Sequence, residues 1–103
     1  MASAFGVTRG GRALVEGRSS MTVHVRLFAA IREALGRESV EMTLASGATP
    51  EDVWRELTRL DDRGALATRR KNLAAAVNRR YTKFDAPLAD GDEVVFIPPV
   101  SGG

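Results

Sequence analysis

The stretch that decides the fold is DGDEVVFI, residues 90–97, near the end of a 103-residue chain. Asp90-Gly91-Asp92 is a strong turn signal, and Glu93–Ile97 is an apolar run typical of a strand. Pro98 and Pro99 follow, and neither can donate a hydrogen bond to a sheet. The pattern therefore predicts a final strand that ends at residue 97.

The first strand is predicted from Thr22 onward, because three apolar residues alternate with three others as a half-buried strand requires. The apolar set is Val23, Val25 and Leu27, and the other set is His24, Arg26 and Phe28. We assign His24 to the solvent face and give it no functional role. A first and a last strand paired in parallel at the centre of a sheet would bury both apolar patterns.

The residues between these strands predict two helices and a returning strand. Ile31 and Leu35 indicate a short helix that stops at Gly36, and Val40, Met42 and Leu44 alternate as a second strand. The main helix begins at Thr49-Pro50-Glu51-Asp52, where Thr49 can cap and the acids suit the positive end of the helix dipole. Its predicted buried face is Val53, Leu57 and Leu60, bordered by Trp54.

The region after the main helix predicts a loop and a hairpin. Residues 61–72 are polar and basic, which favours a solvated loop, and Leu73–Val77 indicates a third strand. Asn78-Arg79 predicts a turn, and Tyr81 and Phe84 predict apolar contacts in a short returning segment. The order predicts an α+β domain of the β-grasp, ubiquitin-like type. We expect a mixed sheet of about four to five strands, one main helix and one short helix.

Composition excludes several classes of function. The chain has no cysteine, so it cannot use disulfides, thiolate metal sites or a thiol nucleophile of its own. The net charge of +2 is carried by residues 1–20, while the remainder is balanced and indicates no nucleic-acid partner. No apolar run approaches the ~20 residues that a membrane-spanning helix needs. We therefore expect a cytoplasmic protein with one domain, residues 21–103, preceded by a disordered extension, residues 1–20.

The C-terminus is the strongest candidate for function, because the sequence contains no catalytic constellation, metal cluster or phosphate-binding motif. Residues 98–103 are Pro98, Pro99, Val100, Ser101, Gly102 and Gly103. In an extended conformation, these six residues span roughly 20 Å. Glycines can enter a narrow channel, and the carboxylate of Gly103 is free to be activated. We predict a flexible tail that is inserted into the active site of a partner.

The chain resembles the molybdopterin synthase small subunits (MoaD) of the MoaD/ThiS family of ubiquitin-like sulfur carriers. The residues that carry the resemblance are Leu27-Phe28-Ala29, Ile31-Arg32-Glu33, Leu73–Asn78, Pro87-Leu88, Asp90–Val94 and Phe96–Gly103. The match covers Met21–Gly103, and its most specific part is Pro-Pro-Val before Ser-Gly-Gly. The extension before Met21 departs from the family.

The resemblance implies a non-catalytic carrier subunit that binds no cofactor. Gly103 would be adenylated by an E1-like, MoeB-like enzyme that uses ATP, and then converted to a thiocarboxylate. The thiocarboxylate would donate sulfur to cyclic pyranopterin monophosphate inside a MoaE-like large subunit, during molybdenum cofactor biosynthesis. That large subunit would supply the catalytic side chains, and the working complex would be a heterotetramer.

A carrier also needs a docking face. Phe28, Val95 and Ile97 fall on the opposite side of their strands from the alternating core residues, so we predict that they form the partner interface. Two alternatives stay open. One is a ThiS-like or other β-grasp carrier for thiamin or cysteine synthesis, which would use the same Gly103. The other is a non-covalent ubiquitin-like binding module with an inert tail.

The extension, residues 1–20, is predicted to be dispensable, because it lacks the apolar periodicity needed to offset the entropy of ordering. A chain that begins at Met21 should match the full chain in thermal melting and in activity of the reconstituted synthase. A large loss in either measurement would show that the extension contributes to the folded domain.

Overall fold

The computed structural model describes residues 20–98. Most of the predicted extension and the tail beyond Pro98 lie outside the described residues. Within the described range, five strands form one mixed sheet in the order β2-β1-β5-β3-β4. The strands are β1 Ser20–Arg26, β2 Ser39–Ala45, β3 Ala74–Val77, β4 Arg80–Thr82 and β5 Glu93–Ile97, and the helices are α1 Ala29–Leu35 and α2 Pro50–Leu60. The predicted β-grasp order is confirmed.

The centre of the sheet is the parallel pair β1 and β5, as predicted. Val25 lies opposite Val94 in the register, and neither is accessible to solvent. The backbone N–H of His24 donates to the carbonyl of Asp92 at 2.9 Å. This hydrogen bond joins β1 to the turn that precedes β5. The first and last strands of the described chain are thereby fixed side by side.

Helix α2 covers one face of this sheet and begins where the sequence predicts. Thr49 accepts a hydrogen bond from the backbone N–H of Asp52, whose carboxylate accepts one from the backbone N–H of Thr49, so the two residues form a capping box. Val53, Trp54 and Leu57 are buried. The prediction for Leu60 is wrong: it is the last residue of the helix and 37% exposed, while Trp54 takes the place on the buried face.

Helix α1 ends as its sequence predicts. Gly36 has a φ of 70°, which is the left-handed conformation, and its N–H donates to the carbonyl of Arg32 at 2.8 Å. Ile31 is the buried residue of this helix. Ala34 and Leu35 also pack against the core, so apolar contacts and a glycine stop together hold the short helix.

The loop of residues 61–72 is more ordered than the prediction of a solvated loop. Leu66 is fully buried in a short 3-10 turn, Leu66–Thr68. Asp61 is also buried, and its carboxylate accepts hydrogen bonds from the backbone N–H groups of Leu66 at 2.7 Å and Arg63 at 3.2 Å. The prediction is wrong here because a single buried leucine gives no periodic signal.

The cap of α2 makes folding stability depend on acidity. Burial raises the pKa of the Asp52 carboxyl, but hydrogen bonds from the Thr49 backbone and from Arg55 outweigh burial and hold this pKa below its ordinary value of 3.8. A lowered pKa in the folded state means that ionised Asp52 stabilises the fold above its unfolded pKa. This stabilisation is lost as the pH falls through the folded pKa.

Asp52→Asn should therefore lower the free energy of unfolding by about 0.5–1 kcal/mol at neutral pH, because the ionised half of the cap is lost. Urea denaturation of both proteins should show this difference shrinking as the pH falls below 3.8, where the parent carboxyl becomes neutral too. Glu33→Gln, which makes the same change in net charge at an exposed residue of α1, is the control for net charge. A difference that stays constant with pH would contradict this account of the cap.

Candidate functional site: tail root and docking face

The tail leaves the domain from β5, which lies between β1 and β3 in the sheet. Phe96 in this strand is 1% exposed, and its ring contacts Trp54 edge to face at 5.2 Å between centroids. On another side it stacks with Phe84 at 5.8 Å. Pro98 therefore follows a strand that is fixed by hydrogen bonds on both edges and by aromatic packing.

Gly103, the predicted reactive residue, lies outside the described residues, as do Pro99, Val100, Ser101 and Gly102. Their predicted roles remain predictions. Pro98 is half-buried and is the last residue described. The structure thus gives the point and the strand from which the tail departs.

The three predicted interface residues lie away from the core. Val95 and Ile97 are half-buried, whereas the alternate residues of the same strand, Val94 and Phe96, are at most 1% exposed. Phe28 is 44% exposed, and the Arg26 guanidinium lies 5.7 Å from its ring centroid. The alternation in β5 places Val95 and Ile97 on the sheet face that α2 does not cover.

Tyr81 extends this face, which the sequence did not predict. In the register, Tyr81 lies opposite Ala76, and Ala76 lies opposite Val95 on the next strand. Paired residues point to the same side of a sheet, so all three share the uncovered face. Tyr81 is 76% exposed, so its predicted apolar packing is wrong, while Phe84 does pack against the core. The signal that could have found it is the register set by the Asn78-Arg79 turn.

We call this surface the outer apolar patch and define it as Phe28, Ala76, Tyr81, Val95 and Ile97. A hairpin turn fixes its outer strand, since Asn78 and Arg79 have φ values of 52° and 72°, the left-handed pair of a type I′ turn. The Asn78 side chain also accepts a hydrogen bond from the N–H of Glu93 at 3.0 Å and donates to Asp92 at 2.9 Å. The turn that positions Tyr81 is thereby attached to the start of β5.

Charged residues border the outer apolar patch. Arg26 lies opposite Val95 in the register, and its guanidinium is 3.6 Å from the Glu93 carboxylate. His24 faces solvent as predicted, with its Nδ1 atom 3.3 Å from the Glu41 carboxylate. Exposed pairs of this kind contribute little to stability, at most about 1 kcal/mol each. An apolar centre with a polar border is the usual anatomy of a protein interface.

The described residues carry no alternative chemistry at this site. Within residues 20–98, no group of three or more His, Asp or Glu side chains is arranged to hold a metal ion. In the same part of the chain, neither helix is long and apolar enough to cross a membrane. The candidate site therefore consists of the tail root and the outer apolar patch.

Comparisons with known proteins agree with this geometry. The model of the ThiS family matches residues 25–103. The chain is 43% identical over 81 residues to the molybdopterin synthase sulfur carrier subunit of Escherichia coli, covering 79% of this chain and 99% of that protein.

Two solved structures are also similar. One is a putative molybdopterin converting factor, subunit 1, from Pyrococcus furiosus, with a TM-score of 0.67 and 30% identity over 78% of this chain and 99% of that one. The other is a chain in the complex of subunits 1 and 2 of molybdopterin-converting factor from Helicobacter pylori. Its TM-score is 0.51 and its identity 25%, over 81% of this chain and 100% of that one.

Proposed function

Since this chain belongs to the ThiS family, we propose that it is the sulfur carrier subunit of molybdopterin synthase. The observation that carries the proposal is a β-grasp domain whose central strand leads directly into Pro98 and a tail ending in Gly102-Gly103. The 43% identity to the sulfur carrier subunit of Escherichia coli supports the same function and favours it over a ThiS-like carrier for thiamin or cysteine synthesis.

Sulfur transfer through Gly103 requires activation, because a carboxylate is a poor acyl donor until its oxygen becomes part of a leaving group. In the proposed reaction, an oxygen of Gly103 attacks the α-phosphorus of ATP and releases pyrophosphate. A sulfur nucleophile then displaces AMP, and the terminal acyl group becomes a thiocarboxylate. An E1-like, MoeB-like adenylyltransferase is proposed to carry out this activation, in the cytoplasm where ATP is available.

The thiocarboxylate sulfur then attacks a carbon of cyclic pyranopterin monophosphate, and an oxygen substituent of that carbon leaves, as water or as the phosphate oxygen of the opened ring. Hydrolysis of the resulting acyl–sulfur bond leaves the sulfur on the substrate and restores the Gly103 carboxylate. We assign the catalytic side chains of this step to a MoaE-like large subunit. The role of this chain is to present sulfur at the end of residues 98–103, which span roughly 20 Å when extended. A tail that ends in two glycines fits a narrow channel because it has no side chains there.

The large subunit is proposed to dock on the outer apolar patch. Three observations support this assignment: Tyr81 is 76% exposed, Phe28 is 44% exposed, and Tyr81 shares the uncovered sheet face with Val95 of the strand that leads to the tail. The structural similarity to a chain in the Helicobacter pylori complex of subunits 1 and 2 supports a large-subunit partner. By the same reasoning we propose a heterotetramer of two small and two large subunits.

Blocking Gly103 tests the chemical proposal. Residues added after Gly103 convert its carboxylate to an amide, which cannot be adenylated, so sulfur transfer should be abolished while thermal melting stays unchanged. Deleting Gly103 leaves a carboxylate withdrawn by roughly 3.5 Å. This shift should cost about a hundredfold in rate, since reacting atoms must nearly touch.

The readout is the intact mass after incubation with ATP, the activating enzyme and a sulfur source. The native chain should gain about 16 Da as one oxygen is replaced by sulfur. Molybdopterin formation by an extended chain that is demonstrably uncleaved would refute the sulfur-carrier proposal.

Ile97→Asp tests the docking proposal. Desolvating a new carboxylate at an apolar interface is costly, so binding to the large subunit should weaken by about 2 kcal/mol, roughly thirtyfold in Kd. The matched control is Thr43→Asp, an exposed residue on the same sheet face but on β2. Calorimetric titration should separate the two variants. If Ile97→Asp unfolds the protein, or if both variants bind alike, the docking assignment is wrong.

A further inference from the structure

The near balance of charge in the chain hides a strong separation of charge. Residues 63–84 contain seven Lys and Arg and no Asp or Glu. The rest of the described chain, residues 20–62 and 85–98, contains five Lys and Arg and twelve Asp and Glu. We call residues 63–84 the basic segment. Basic and acidic residues are therefore concentrated in different parts of the described chain, although they are equal in number.

Part of the basic segment lies at the end of the sheet from which the tail departs, whereas its Asn78-Arg79 turn lies at the other end, beside Glu93. It leads through the 3-10 turn into β3, and Ala74 at the start of β3 lies opposite Ile97 at the end of β5. Arg69 and Lys71 precede Ala74 by a few residues and are exposed. Lys83, also exposed, follows β4 at the same end of the hairpin, because Thr82 pairs with Ala75. These three cations therefore flank the root of the tail.

Structural roles account for only part of the basic segment. Arg70 donates three hydrogen bonds to the Glu51 carboxylate, the shortest at 2.7 Å, and its guanidinium lies 3.6 Å above the centre of the Phe84 ring. Arg79 and Arg80 belong to the edge hairpin, where cations deter pairing with another sheet. Arg69, Lys71 and Lys83 make no ion pair with any described residue. Their charge has no partner within residues 20–98.

We propose that the basic segment is a steering surface for acidic protein surfaces around the sites that receive the tail. This inference rests on the proposed function, because it assumes that the tail enters a partner. A carrier that moves between proteins needs fast and reversible association, and complementary charge raises association rates by about 10–10³-fold without adding apolar area. The separated charges also orient the domain, so that the tail end approaches first.

The same charges do not favour a nucleic acid as the partner. Beside the basic segment, the described chain carries twelve carboxylates against five cations, and a phosphate backbone would repel them. The exposed aromatic residue of the segment, Tyr81, belongs to the outer apolar patch rather than to a series of stacking rings. A protein surface can match both signs of charge, whereas a phosphate backbone presents only one.

The test is a charge reversal at the tail root, Arg69→Glu/Lys71→Glu, in the full chain. The matched control is Arg37→Glu/Arg59→Glu, which makes the same change in net charge at two exposed residues outside the basic segment. Stopped-flow association should be measured with the large subunit and with the activating enzyme over a series of salt concentrations. For at least one partner, the reversal should lower the low-salt association rate about tenfold and flatten its salt dependence, and the control should change neither substantially.

Three outcomes would overturn the inference. They are equal effects of the two variants, no effect of the reversal on either partner, or salt-dependent binding of a random-sequence DNA duplex that the reversal abolishes. The intact mass after ATP-dependent activation separates this inference from the proposed function. If the native chain gains its sulfur and binds its partners but the reversal does not slow association, steering fails and the carrier function stands. If the native chain never gains sulfur, the carrier function itself fails.

Discussion

The position of β5 between β1 and β3 is the constraint on which the rest of the structure depends. Both edges of this strand are hydrogen-bonded, in parallel to β1 and antiparallel to β3. Its inward residues, Val94 and Phe96, are at most 1% exposed, and Phe96 lies against both Trp54 and Phe84. Truncation of a buried aromatic residue in such a cluster costs about 3–5 kcal/mol. Whatever follows Ile97 therefore starts from one of the best-fixed points of the domain.

The same strand contributes alternate residues to the core and to the outer apolar patch. Because side chains alternate along a strand, Val94 and Phe96 face the core while Val95 and Ile97 belong to the outer apolar patch. A slip of one residue would exchange the two sets, so the core also fixes which residues of β5 belong to the outer apolar patch. The turn at Asp92 supports this register, since its carboxylate accepts the Ala89 N–H at 2.8 Å and the Asn78 side chain at 2.9 Å.

The sequence predicts the strands, helices and turns that have a periodic or local signal. It does not predict features that depend on a single tertiary contact. The parallel central pair, the capped start of α2 at Thr49 and the glycine stop at Gly36 were all predictable, because each has a local or repeating signal. Burial of Leu66 was not, because one leucine in a polar loop has no period. For Tyr81 the sequence predicts apolar contacts in a short returning segment, and only the hairpin register reveals that it faces outward.

The spatial distribution of charged residues is also not predicted by counting them in the sequence. Equal numbers of basic and acidic residues in residues 21–103 do not show that Arg69, Lys71 and Lys83 lie at the end of the sheet from which the tail departs. The fold brings Lys83 beside the segment that contains Arg69 and Lys71. In the proposed mechanism the tail has no side chains at its tip, so Gly103 alone cannot distinguish one partner from another. Selectivity for a partner must then come from the folded domain. In the proposed mechanism, the outer apolar patch provides contact area and the basic segment orients the approach of the partner.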